Sequence, residues 1–223
     1  MSSSAGLAGS ALHGAQHGDS QDMLPNPIVH LFLGANIPGQ IDIKLDKEHS
    51  DDIESRFVRK RGDASWNGVI EFKHDKYTQI ADIPNSLLQH TPTIVHFSCH
   101  GSREQGRPGP GRLYLESGAL GGEELVKSIL VHNNKMIREN PANMIRLVIF
   151  NACDSAKMAK LLADGGHVSE DFNGLQGVPF AIGHGGSVFN SDAEKFSKTL
   201  YSHLGDNSSL LESFVQAEMA SRM

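Results

Sequence analysis

Leu147-Val148-Ile149-Phe150-Asn151-Ala152-Cys153-Asp154-Ser155-Ala156 is the stretch on which the reading of this chain turns. Four consecutive apolar residues read as a strand buried on both faces, and the small and polar residues after them as a turn into a helix that begins near Asp154. Cys153 then falls at the carboxyl end of a strand and the amino end of a helix. Open α/β sheets place their ligands there, and the unpaired N–H groups and dipole of a helix start favour a thiolate. About fifty residues upstream, a second strand-like run, Thr93-Ile94-Val95-His96-Phe97-Ser98-Cys99-His100-Gly101, ends in a histidine that can act as the base of such a thiol.

Working outward, the rest of the chain alternates strand-like and helix-like patterns. Ile28-Val29-His30-Leu31-Phe32-Leu33 is a nearly continuous apolar run closed by Asn36, Pro38 and Gly39, as expected of a central strand. Residues 46–61, acidic early and basic late, suit a helix that covers one sheet face. Residues 69–72 read as a short strand, and residues 80–90, with Pro84 near the start, as a helix. The glycines and prolines of residues 101–111 make a loop, but no Gly-Lys-Ser/Thr follows them, so they do not form a phosphate-binding loop. Arg112-Leu113-Tyr114-Leu115-Glu116 alternates like a hairpin arm, residues 123–131 read as a helix, and the polar residues 133–143 as a connection. After Cys153 come a short helix stopped by Gly165-Gly166, a polar loop over residues 167–177, a strand at residues 178–183, and helices at residues 191–204 and from Leu210 onward. The expectation is a doubly wound, mostly parallel α/β sheet flanked by helices in three layers, αβα. It occupies residues 27–223, preceded by a disordered tail or linker over residues 1–26, which is rich in Ser, Gly, Ala, His and Gln.

Composition narrows the function classes. With 223 residues, a net charge of −6 and a pI near 6.0, the chain suits one sizeable domain and lacks the basic stripe of a nucleic-acid binder. No apolar run approaches membrane-spanning length, and the first residues lack the pattern of a signal peptide. The two cysteines make no disulfide framework and suit a reducing cytoplasm. The expected location is therefore cytoplasmic, with neither membrane nor direct nucleic-acid contact.

The blocks "IVHFSCHG", "GRLYLE", "RLVIFNACDSA" and "VPFAIGHGGSVFNSDAEKFSKTLYSHLGDNSSLLESFVQAE" resemble, in this order, the CHAT domains of bacterial caspase-like cysteine peptidases. The resemblance covers roughly residues 27–220. It implies a caspase-like fold, hydrolysis of peptide bonds in a protein substrate, His100 as the catalytic base and Cys153 as the nucleophile. It also implies control by a regulatory sensor or activator protein, in antiviral defence or regulated cell death. No cofactor is implied.

On this reading the thiolate of Cys153 attacks the scissile carbonyl, His100 protonates the leaving amine, and the backbone N–H groups of Gly101 and Cys153 hold the oxyanion. Asn151, Asp154 and His184 are candidates for substrate binding. Asn151 is neutral where related enzymes with a basic preference tend to carry Asp, Asp154 reads more simply as a first-turn helix residue, and the His184 loop reads as a surface turn near the site. Asp171, Asp192 and Arg112 are loop-edge charges that could line a pocket. Cys99 faces opposite to His100 and belongs to the core, and His96 lies deeper in its strand. Two rivals stand beside the peptidase. One is a zinc site from His100, Cys99 or Cys153, and His184, which no short ligand motif supports. The other is a caspase-fold domain that serves only as a protein-interaction module.

Overall fold

The computed structural model describes residues 5–7, 28–33, 53, 71–75, 78–103, 109–165, 172, 174–206 and 208–222. Its elements in chain order are β1 (Ala5–Leu7), β2 (Ile28–Leu33), β3 (Glu71–Asp75), α1 (Ile83–His90), β4 (Ile94–Ser98), β5 (His100–Ser102), β6 (Arg112–Leu115), β7 (Gly118–Gly121), α2 (Gly122–Glu139), β8 (Leu147–Asn151), α3 (Ala156–Asp164), β9 (Phe180–His184), α4 (Asn190–Gly205) and α5 (Leu210–Ser221). The main sheet has the order β1-β9-β8-β4-β2-β3, and a small antiparallel sheet the order β5-β6-β7. All pairings in the main sheet are parallel except that of β1 with β9.

The apolar runs read as central strands because both faces of the sheet are covered. Along β8, Val148 and Phe150 enter a core with Leu125 and Ile129 of α2 and Met158 and Leu162 of α3. Leu147 and Ile149 enter a second core with Phe196, Leu200 and Tyr201 of α4 and Phe214 of α5. A two-residue side-chain period thus assigns every residue of β8 to one of two helical layers. Register is pinned by a stack of rings. Phe32, Phe97 and Phe150 are direct neighbours across β2, β4 and β8, with centroids 5.0 and 5.5 Å apart. Slipping one strand by one residue would turn its phenyl ring into the opposite layer.

Several expected elements are shifted. Residues 1–26 were expected to be a disordered tail, but Ala5–Leu7 pairs antiparallel with β9, because the edge of β9 offers main-chain groups that a short segment can satisfy. The other residues of that tail lie outside the described ones. So do most of residues 46–61, of which Ile53 is described as helical and buried. The strand expected at residues 69–72 is found at Glu71–Asp75, in register with Ile28 to Phe32 of β2. The helix expected to stop at Val131 continues to Glu139, since His132, Asn133 and Met136 prolong the inward face begun by Leu125 and Ile129. Within it Asn133 Oδ1 accepts the Ile145 N–H at 2.7 Å and guides the chain back toward β8. In α5, Phe214 and Ala217 are buried, while Leu211, Val215 and Met219 form an exposed apolar stripe. No helix among the described residues is long and apolar enough to cross a membrane.

Candidate active site

β4 and β8 pair in parallel from Ile94 opposite Leu147 to Ser98 opposite Asn151. His100 and Cys153 therefore each lie two residues beyond the last paired position, at the carboxyl ends of adjacent strands, where an α/β sheet forms its ligand crevice. The Cys99 N–H extends the ladder by donating to Asn151 O at 3.4 Å. The strongest constraint on this corner is Gly101. A Cβ there would fall 2.2 Å from the Cys153 carbonyl oxygen and 3.1 Å from both Cys153 N and Ala152 Cβ. Only a residue without a side chain lets the segment after His100 lie directly on the backbone of Cys153. From His100 the chain leaves the main sheet as β5, opposite Tyr114 of β6. His100 and Cys153 are both half-buried.

The turn after Cys153 differs from the expected helix start. Asp154 has φ +54°, in the left-handed region that costs a non-glycine residue about 1 kcal/mol or more, so α3 begins only at Ala156. Surrounding bonds hold that conformation. The Asp154 N–H donates to Gly186 O at 3.1 Å. The buried Ser155 hydroxyl faces Phe150 O at 2.9 Å and Ala152 O at 2.7 Å, and accepts the His184 N–H at 3.0 Å. Cys153 Sγ accepts the Val188 N–H at 3.3 Å and lies 3.7 Å from Val188 O, to which its S–H can donate. The loop after β9 thus grips the Cys153 turn at Gly186 and again at Val188.

Asn151 and His184 come together beneath this corner. Asn151 Nδ2 donates to Ala193 O at 3.0 Å and to Ser197 Oγ at 2.9 Å, which turns its Oδ1 toward His184 Nε2 at 3.0 Å. Because Oδ1 can only accept, the His184 proton sits on Nε2. His184 is a buried residue, only 3% exposed, rather than part of a surface turn: it ends β9 on the same face as Ile182, with its ring against the edge of Phe196. Burial lowers its pKa from 6.5 to about 4, which keeps it neutral near pH 7. The Asn151 amide is committed to α4 on one side and to His184 on the other, an arrangement that fixes the end of β8 to the start of the gripping loop.

The remaining candidates are dispersed. Cys99 is buried in the core, and desolvation pushes its thiol up to about 12 against the opposing effect of a Tyr114 backbone hydrogen bond. His96 is buried, with Nδ1 3.1 Å from Tyr201 Oη. Arg112 is exposed on β6, Asp192 is in the first turn of α4, and Asp171 lies outside the described residues. Among the described residues no group of three or more His, Cys, Asp or Glu is placed to hold a metal ion. At the far side of the sheet, His30 Nε2 lies 2.9 Å from Asp75 Oδ2, to which Ser86 Oγ also donates at 2.8 Å. That hydroxyl is bonded to the carboxylate, not to the imidazole, so the cluster ties β2, β3 and α1 together without activating a nucleophile. Val188, Ser155 and Ser197 carried no signal in the sequence, because each acts through the main chain or through a tertiary neighbour. Gly183 on β9 is a local mark of a close approach, since a Cβ there would fall 2.7 Å from Ser155 O.

A mostly parallel sheet between helical layers, with a His-Gly segment and a cysteine turn at neighbouring carboxyl strand ends, is the architecture of the caspase-like fold. The chain belongs to the CHAT domain family, whose model matches residues 53–222. None of the curated proteins compared with it matches the chain.

Proposed function

We propose that this chain is a cysteine endopeptidase in which Cys153 is the nucleophile and His100 the general base and acid. The observation that carries this reading is the contact of Gly101 with the backbone of Cys153, which brings the residue after the histidine against the cysteine itself. In the first step His100 takes the thiol proton and the Sγ lone pair forms a bond to the scissile carbonyl carbon, moving the carbonyl π pair onto oxygen. The N–H groups of Gly101 and Cys153 receive that oxyanion. His100 then gives the proton to the amine nitrogen as the C–N bond breaks. Water, deprotonated by the same imidazole, adds to the acyl carbon and releases the acid and the thiol. In the resting arrangement Sγ faces the Val188 carbonyl, and its proton must turn to His100 before transfer. Membership of the CHAT family supports a protein substrate and control by an activator or sensor protein, in defence or regulated cell death in a cytoplasmic setting.

An irreversible thiol-directed peptidyl probe tests the reading, applied to wild type, Cys153→Ala, His100→Ala and Cys99→Ala, with and without lysate from the source organism. Labelling at Cys153 that needs His100 but not Cys99 is the expected result. A protein that stays unlabelled under every condition while binding a partner tightly would instead be an inactive interaction module.

A further inference from the structure

Phe189 is 73% exposed, the most exposed of the large apolar side chains among the described residues. It is not on a loosely held segment. Its carbonyl accepts the N–H groups of Asp192 at 3.0 Å and Ala193 at 2.9 Å at the start of α4, and the residue before it is bonded to Cys153 Sγ. An aromatic ring is thus presented to solvent from a backbone fixed at both ends, one residue away from the nucleophile's hydrogen-bond partner.

A peptide that offers its carbonyl carbon to Sγ must approach to about 3–3.5 Å. Each residue of an extended peptide advances it by roughly 3.3–3.6 Å, so a side chain flanking the scissile bond passes within reach of position 189. The loop that it meets, Gly185-Gly186-Ser187-Val188-Phe189-Asn190-Ser191, contains no ionisable side chain. Phe189 is its one large exposed apolar side chain, and the exposed polar ones beside it, Ser187, Asn190 and Ser191, carry no charge, so the loop favours an apolar group over a charged one. Two carboxylate residues are bonded to the loop through their backbone N–H groups, Asp154 to Gly186 O and Asp192 to Phe189 O, and they flank it rather than belong to it.

Resting on the peptidase reading, we infer that Phe189 is the wall of an apolar subsite, so that the protein substrate carries a large aliphatic or aromatic residue beside the bond that is cut. The experiment uses the full chain and four acyloxymethyl ketone peptides that differ only in the side chain next to the reactive group: Leu, Lys, Asp and Gly. Rates of Cys153 labelling are measured for wild type, Phe189→Ala, Phe189→Leu and Phe189→Lys, each checked for an unchanged melting temperature. Wild type is expected to react with the Leu probe at least tenfold faster than with the Lys and Asp probes. Phe189→Ala should lower the Leu rate toward the Gly rate while the Gly rate is kept, Phe189→Leu should retain the preference, and Phe189→Lys should favour Asp. A wild-type preference for Lys would overturn the inference and assign specificity to Asp154 or Asp192. Equal rates for all four probes, or a Leu preference untouched in Phe189→Ala, would overturn it and leave the peptidase reading standing. If no peptidyl probe labels Cys153, with or without lysate from the source organism, although iodoacetamide does, the peptidase reading falls and the subsite with it.

Discussion

Gly101→Ala places one methyl group where the corner has no room for it. The added carbon would lie 2.2 Å from the Cys153 carbonyl oxygen, about 1 Å short of the 3.4 Å at which ordinary contact begins. The obstructing atoms include main chain that is itself fixed, since the next residue, Asp154, is hydrogen-bonded to Gly186. Relief must come from moving the His100 segment away from the Cys153 turn. A displacement of about 1 Å between reacting groups costs roughly 100-fold in rate. Overpacking of this kind costs about 1–3 kcal/mol of stability, which for a chain of this size lowers Tm by about 5 °C. Gly109→Ala is the control, since a Cβ there meets nothing within 4 Å. Peptide hydrolysis or probe labelling gives the rate, and calorimetry or circular dichroism gives Tm. A Gly101→Ala protein with wild-type rate and wild-type Tm would refute the claim that these two segments touch.

Three further outcomes follow from the packing and the buried polar groups. Phe97→Ala removes the middle ring of the Phe32, Phe97 and Phe150 stack and should cost about 3–5 kcal/mol, seen as a fall in Tm of about 10 °C. His184 has a folded-state pKa near 4 against 6.5 ordinarily, so below pH 6.5 the unfolded chain binds a proton that the folded chain refuses. Stability from this group is full above pH 6.5 and is lost as pH falls toward 4, by about 3 kcal/mol at most. Urea midpoints of wild type should therefore fall more steeply over that range than those of His184→Gln, and parallel slopes would contradict the assignment. In the native protein, iodoacetamide read by mass spectrometry should modify Cys153, which is half-buried, and leave Cys99 untouched until denaturant is added.

Fold class was legible because β2, β4 and β8 are written as apolar runs, and such runs need a sheet covered on both sides. The alternation inside β8 that sends Val148 and Ile149 to different cores was equally legible, as was the role of Cys99 as a core residue. His100, Gly101 and Cys153 stand out as candidates because a His-Gly and an Asn-Ala-Cys at strand ends have few bland explanations together, and the structure sets them at adjacent strand ends. What escaped was set by the third dimension or by the main chain. Asp154 reads as a helix residue until the Gly186 carbonyl is seen to hold it in a left-handed turn. His184 reads as a loop residue until the parity of Ile182 and the acceptor on Asn151 draw it inward. Val188 acts through its N–H and C=O, which are the same in every residue but proline, so no side-chain pattern could have marked it. Leu211, Val215 and Met219 recur at helical spacing, yet they are exposed, because only the face of α5 that bears Phe214 meets α4.

The corner that holds Cys153 is assembled from Gly101, the Ser155 hydroxyl, the Asn151 amide and the carbonyls of Gly186 and Val188, none of which is a reactive group. Shape and chemistry are thereby separable. Replacing the thiol by hydrogen in Cys153→Ala gives up the Val188 bonds to Sγ but keeps the Gly101, Ser155, Asn151 and Gly186 contacts, so the altered chain should melt within about 2–4 °C of wild type. Under the proposed peptidase activity, such a chain would close on its natural target without severing it. Used as bait, it converts a transient encounter into a complex that can be isolated and sequenced.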